Sequence, residues 1–342
     1  MSATRIEWCD LTINPIVGCS KCSEGCQNCY AERFAARLAK HPNPKISSKY
    51  AGVVDKHGKW TGEVSGLDLY VFDGLPHKPK RIFVGSMTDI FHENVSYDTI
   101  DDIFTECELL ESHTFYFLTK RPQNIRPFLD WCEEHTGRVR FCENTWLGVT
   151  VCNQQEADDK IPVLLQAPAV KRFVSVEPCL GPVDIGKYLY DCYECSSCGK
   201  RMPHTEVLEE ECFRCGFTAA PSYETWGDGN VAVCPECGAS SDIDPVCPDC
   251  GAYVAQHHPD TPCIDWCIVG GETGPGARPL HPDWVRSLRD QCQEAGVPFF
   301  LKSWGEWSPR TDDSPPAHAG TRVGKHRAGR LLDGRTWEDV PS

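Results

Sequence analysis

Seven short apolar runs, each ending in polar residues, constrain this chain more than any other feature. They lie at residues 12–17, 81–89 (RIFVGSMTD), 114–121 (TFYFLTKR), 145–151 (TWLGVTV), 172–177 (RFVSVE), 265–272 (DWCIVGGE) and 298–304 (PFFLKSW). Most are continuously apolar rather than alternating, as expected of parallel strands covered on both faces. Helical patterns lie between them, at 31–40, 97–111, 123–135, 154–166 and 281–295. The last has Pro282 in its first turn and Gly296 as its stop. Strand–helix alternation of this kind predicts an α/β fold built as a partial or complete parallel (β/α) barrel.

On such a barrel, chemistry gathers at the C-terminal ends of the strands. Here those ends carry Ser86, Thr88 and Asp89, then Thr119, Lys120 and Arg121, then Thr150 and Asn153. Ser175 and Glu177, Glu272 and Lys302 complete the set. Any one polar strand end has a bland explanation, since strand ends meet water. As a set they point to a site, and Asp89, Lys120, Glu177, Glu272 and Lys302 are the candidate catalytic residues. Two are basic and three acidic, and buried charges of both signs need partners or a ligand. The sixth run leads into GGETGPG, where Gly270 and Gly271 would let backbone approach a ligand closely.

The first run leads into NPIVGCSKCSEGCQNCYAER, with Cys19, Cys22, Cys26 and Cys29 inside eleven residues. Thiols this close on one loop either chelate a soft metal centre or form short-range disulfides. If Cys19 stands aside, Cys22-x3-Cys26-x2-Cys29 leaves three thiolates for a cluster that takes four ligands, and one iron keeps an open position.

The loop, with Tyr and Ala behind its last cysteine, resembles the cluster loop of radical S-adenosylmethionine (SAM) enzymes. The wider pattern GC…GC.NCYAER, with TDIFH, LTKRP, SVEP, VGGETGPGARP and KSWGEW, resembles a phage-associated three-cysteine-motif family of uncharacterised proteins. That resemblance covers nearly the whole chain apart from one insertion. It implies a radical-SAM-like barrel open on one side, a 4Fe–4S cluster, SAM and an electron donor. It also implies a 5′-deoxyadenosyl radical as the reactive species. The family spacing Cys-x6-Cys-x2-Cys maps to Cys19, Cys26 and Cys29, whereas the commoner radical-SAM spacing selects Cys22 with Cys26 and Cys29; Cys19 is the expected ligand. Tyr30, Ser86, Thr119, Gly270 and Gly271 are the implied SAM contacts. The phage setting implies a nucleobase or nucleotide substrate in nucleic-acid modification, by association alone.

Residues 190–263 break the alternation with four C-x2-C-Gly knuckles: Cys195/Cys198, Cys212/Cys215, Cys234/Cys237 and Cys247/Cys250. Thirteen residues separate the first two pairs and nine the second two. Two such pairs joined by a short loop make a tetrahedral four-thiolate zinc site, so the insertion reads as two tandem zinc ribbons. Four thiolates leave no place for water, and the metal supplies folding energy to a module too small for its own core. Cys192, Cys9, Cys107, Cys132, Cys142, Cys152, Cys179, Cys263, Cys267 and Cys292 are left over, most of them expected to be small buried hydrophobes. The organisation expected is a barrel from 1–189 and 264–308, the insertion at 190–263, and a basic tail at 309–342. The tail either folds back over the barrel, binds a phosphate, or is a solvated surface segment. Residues 41–80 read as a long connection with an extended stretch at 60–64.

Twenty-two cysteines grouped in pairs indicate metal rather than disulfides in a chain with no evident signal peptide. No apolar run is long enough to span a membrane, and a cytoplasmic protein is expected. The formal charge of −15 argues against loose nucleic-acid binding by the whole surface. Two function classes remain: a radical SAM enzyme, or a non-catalytic zinc module that binds nucleic acid or protein, with the N-terminal loop as a third zinc site.

Overall fold

The seven apolar runs pair side by side in chain order. They form β1 (Leu11–Ile13), β2 (Arg81–Val84), β3 (Thr114–Thr119), β4 (Thr145–Val151), β5 (Lys171–Val176), β6 (Trp266–Gly270) and β7 (Phe299–Ser303). Every neighbouring pair is parallel, and β1 does not pair with β7, so the sheet curls into an open half-barrel. This computed structural model describes residues 4, 6–138, 141–189, 262–309 and 320–341, with short strands at 192–194, 201–203, 222–226, 229–233 and 240–241. The chain divides into two compact units, Met1–Ile185 with Ile264–Ser342, and Gly186–Cys263.

Helices α1 (Tyr30–Leu38), α2 (Tyr97–Leu109), α3 (Ile125–His135), α4 (Gln154–Leu165) and α5 (Pro282–Glu294) supply the crossovers. Their starts are chemically marked. Ser96 and Asn153 accept backbone N–H groups of Thr99 and Glu156, and His281 caps α5 ahead of Pro282. The second run is shorter than its apolar pattern: β2 stops at Val84 because Gly85 turns the chain with φ +84°. The first run likewise pairs only over Leu11–Ile13. Of the extended stretch expected at 60–64, only an isolated bridge from Trp60 to Val54 forms.

The barrel interior holds a layer of large buried rings: Phe83, Tyr116, Phe173, Trp266 and Phe300 from five strands, closed by Trp8 from the segment before β1. Trp8 sits 4.8 Å from Phe83, 5.7 Å from Tyr116 and 6.2 Å from Trp266, centroid to centroid. Each such pair contributes ~0.5–1.5 kcal/mol beyond its area burial. Gly148 makes room for this layer, since a Cβ there would stand 2.6 Å from the Phe173 ring.

The tail folds back over 320–341. Leu301 N–H donates to Trp337 O, Asp339 N–H to Phe299 O, and Phe300 bridges Glu338 antiparallel. This backbone covers the outer edge of β7, which would otherwise present unpaired groups. Cys9, Cys107, Cys132, Cys142, Cys152, Cys179, Cys267 and Cys292 are buried, as small hydrophobes should be, and Cys263 is half-buried. Among the described residues no helix is long and apolar enough to cross a membrane.

Candidate functional site

The cysteine loop is stitched to the turn that follows β2. Asn14 accepts Met87 N–H at 2.8 Å, Gly18 N–H donates to Met87 O at 3.1 Å, and Thr88 Oγ1 donates to Gly18 O at 2.7 Å. Gly18 has φ +114°, and a Cβ there would lie 2.2 Å from Glu63 O, so only glycine fits. The loop therefore faces the C-terminal strand ends across a cavity of about 380 Å³.

Cys19, Cys26 and Cys29 line that cavity, while Cys22 is exposed and does not. Cys22 and Cys26 share a hydrogen bond, which chiefly holds the Cys26 thiol down at about 5 and raises Cys22. Burial pushes Cys19 up to about 12. Among the described residues no group of three or more His, Cys, Asp or Glu side chains is placed to hold a metal ion. Cys195, Cys198, Cys212, Cys215, Cys234, Cys237, Cys247 and Cys250 lie outside the described residues.

Asp89, Lys120, Glu177, Glu272 and Lys302 all line the same cavity. They are not equally free. Asp89 accepts Thr119 Oγ1–H at 2.7 Å, Lys120 N–H at 2.9 Å, Phe91 N–H at 3.2 Å and Arg121 Nη1–H at 3.2 Å. Glu272 is similarly occupied, by Arg278 Nη2 at 2.5 Å, Arg278 N–H at 2.7 Å and Asn28 Nδ2 at 3.0 Å. Both carboxylates hold loops in place. Glu177 and Lys302 form a 2.5 Å pair whose side chains are 18% and 15% exposed. Among the described residues Lys120 Nζ makes no hydrogen bond or ion pair, and Lys120 lines the cavity with Cys26 and Cys29. Burial disfavours its charge, but Cys26, Cys29 and Asp89 outweigh this and hold its pKa above the ordinary lysine range.

The expected cofactor contacts divide. Tyr30, Ser86 and Gly271 reach the cavity, with Tyr30 Oη donating to Ser86 O at 2.8 Å. Thr119 does not line it, because its hydroxyl is spent on Asp89. Gly270 does not either. A Cβ there would meet Glu177 Cγ and Oε1 at 2.9 Å, so the space this glycine opens is filled by the chain's own carboxylate. At Gly271 the close approach is to Trp304 O, 2.3 Å from where a Cβ would sit.

Three contributors were not evident as site residues from the sequence. Arg121, at the end of β3, reaches the cysteine loop; Asn28 and Arg278 tie that loop to Glu272, and Arg278 also pairs with Glu24 at 2.9 Å. Arg121 stood among the polar strand ends, but its partners on the cysteine loop lie about a hundred residues away in sequence and left no local signal of that contact.

No curated protein and no solved structure matches this chain. The loop, the strand ends and the folded-back tail that build the cavity all fall within one continuous match, over residues 3–341, to the family described as protein of unknown function (DUF5131), and the chain belongs to that family.

Proposed function

We propose that this protein is a radical SAM-type iron–sulfur enzyme, with Cys19, Cys26 and Cys29 as the cluster ligands. What supports this most is one juxtaposition: three thiols of a single loop line a cavity at the C-terminal ends of parallel strands, while Cys22 is exposed and does not line it. A 4Fe–4S cluster with bound SAM would supply one-electron cleavage to a 5′-deoxyadenosyl radical, given an external electron donor. The chain's own residues hold, orient and shield. Lys120 offers an unpaired positive charge to a ligand carboxylate, and the Glu177–Lys302 pair faces the cavity with both signs of charge. Trp8, Phe83 and Leu118 give it apolar lining that excludes water. The substrate proposed by family association is a nucleobase or nucleotide in phage-related nucleic-acid modification. The inserted cysteine pairs are proposed as two structural zinc ribbons.

Anaerobically reconstituted protein is expected to carry about four irons beyond any zinc and to release 5′-deoxyadenosine from SAM under reduction. Cys26→Ala and Cys29→Ala should each abolish the cluster's visible absorbance. A second reading rests on the Cys22–Cys26 contact: a four-thiolate zinc loop in a non-catalytic nucleic-acid or protein interaction module. A colourless preparation with zinc alone, inert toward SAM, would sustain it and end the enzyme reading.

A further inference from the structure

Two cysteines of the N-terminal loop, three residues apart, are candidates for one role. We infer that Arg121 is the positioning residue that commits Cys19, and not Cys22, to the cavity. The inference rests on the cluster reading of that cavity.

Arg121 is 4% exposed in its side chain, and its guanidinium is fully used. Nε donates to Glu93 Oε2 at 2.7 Å, and Nη1 to Asp89 Oδ2 at 3.2 Å with Cys19 Sγ at 3.9 Å. Nη2 donates to Ser20 O at 3.1 Å and Ser20 Oγ at 2.7 Å. Three of these contacts fall on Cys19 and the residue after it. The anchor itself cannot drift, because Asp89 is held by Thr119 Oγ1 and by the backbone of Phe91 and Lys120.

Ser20 is locked from a second side. His92 Nδ1 accepts Asn94 N–H at 3.1 Å, so Nε2 carries the proton and donates to Ser20 Oγ at 2.9 Å. The hydroxyl proton is left for Glu93 Oε1 at 3.2 Å. A planar fork of fixed geometry makes these contacts together; a lysine would reach one at a time. Cys22 has no comparable hydrogen-bonded anchor: it is exposed and its thiol bonds to that of Cys26, so although the Arg121 charge acts on both thiols, its hydrogen bonds fall on Cys19 and Ser20.

The test uses full-length protein with Arg121→Gln, and Ser20→Ala as a milder variant that unpairs no charge. Each is combined with Cys19→Ser or Cys22→Ser. In the otherwise unaltered chain, Cys19→Ser should lose the reconstituted cluster and Cys22→Ser keep it. In the Arg121→Gln background the dependence should spread to Cys22, so that Cys22→Ser now lowers iron content. A purely structural role would not move ligand dependence from one cysteine to the other. Independently of iron, alkylation of apo-protein at fixed pH, read per cysteine by mass spectrometry, should be slower at Cys19 than at Cys22. Ser20→Ala, which keeps the Arg121 charge beside Cys19, should speed Cys19 roughly tenfold, the factor carried by one charge-assisted hydrogen bond. Arg121→Gln frees the loop but also removes a charge that favours the Cys19 thiolate, so its rate should change by less than that of Ser20→Ala. Should the unaltered chain bind no iron, the enzyme reading fails while the alkylation result still decides this inference. Unchanged Cys19 alkylation in both variants would overturn it.

Discussion

Gly270→Ala is a one-carbon test of how the cavity wall is built. Gly270 ends β6 outside the left-handed region, in a backbone conformation open to alanine. The new Cβ would nevertheless stand 2.9 Å from both Glu177 Cγ and Oε1 and 3.0 Å from Cδ. Carbon contacts settle near 3.5–4.0 Å, so Glu177 must swing away by roughly 1 Å. That displacement breaks its 2.5 Å contact with Lys302. Overpacking of this kind costs ~1–3 kcal/mol, and the loosened pair adds to it only modestly because both side chains retain some contact with water. The signature lies in the coupling. Glu177→Ala removes the group that the new methyl strikes, so the double variant should be no less stable than Glu177→Ala alone, giving an interaction energy of about 1–2 kcal/mol. Urea unfolding followed by tryptophan fluorescence reads the barrel, because Trp226 alone of the ten tryptophans lies in the inserted unit. Strictly additive effects of the two substitutions would refute the claim that Gly270 exists to seat Glu177.

Burial opposes the charge of Glu272, but hydrogen bonds from Arg278 and Asn28 prevail and lower its pKa. The stability it contributes is therefore complete above the unfolded glutamate value of about 4.3 and fades as pH falls through the lower folded value. Arg278→Met should flatten this acid limb of the stability–pH curve, and an unchanged limb would remove Glu272 as its source. Zinc analysis tests the insertion: about two ions per chain should survive mutation of the N-terminal cysteines and disappear when residues 190–263 are replaced by a short Gly-Ser bridge. A bridged chain that is insoluble and binds no iron would show the insertion to be part of the barrel.

Much of the architecture is written locally. Continuous apolar runs define buried parallel strands, and the Ser96, Asn153 and Pro282 signals place helix starts because capping involves only adjacent residues. Parallel order then carries Asp89, Lys120, Glu177, Glu272 and Lys302 to one cavity, since every strand of such a sheet ends on the same side. The cysteine loop is legible because its four cysteines lie within eleven residues.

Tertiary structure alone decided which of these groups are free. Asp89 and Glu272 read as catalytic charges, yet each is saturated by partners that the fold brings to it. Among the described residues Lys120 Nζ is left without a hydrogen bond or ion pair, a distinction invisible in a sequence where all five end strands alike. Gly270 reads as space for a ligand, but Glu177, ninety-three positions earlier, occupies it. Arg121 holds the cysteine loop at Cys19 and Ser20, through contacts with Ser20 that span 101 residues. Sequence periodicity encodes which face of an element is buried; it does not encode which side chain from another strand will arrive there. That pairing exists only once the sheet has curled, because curvature sets the distance between strand ends that are remote in the chain.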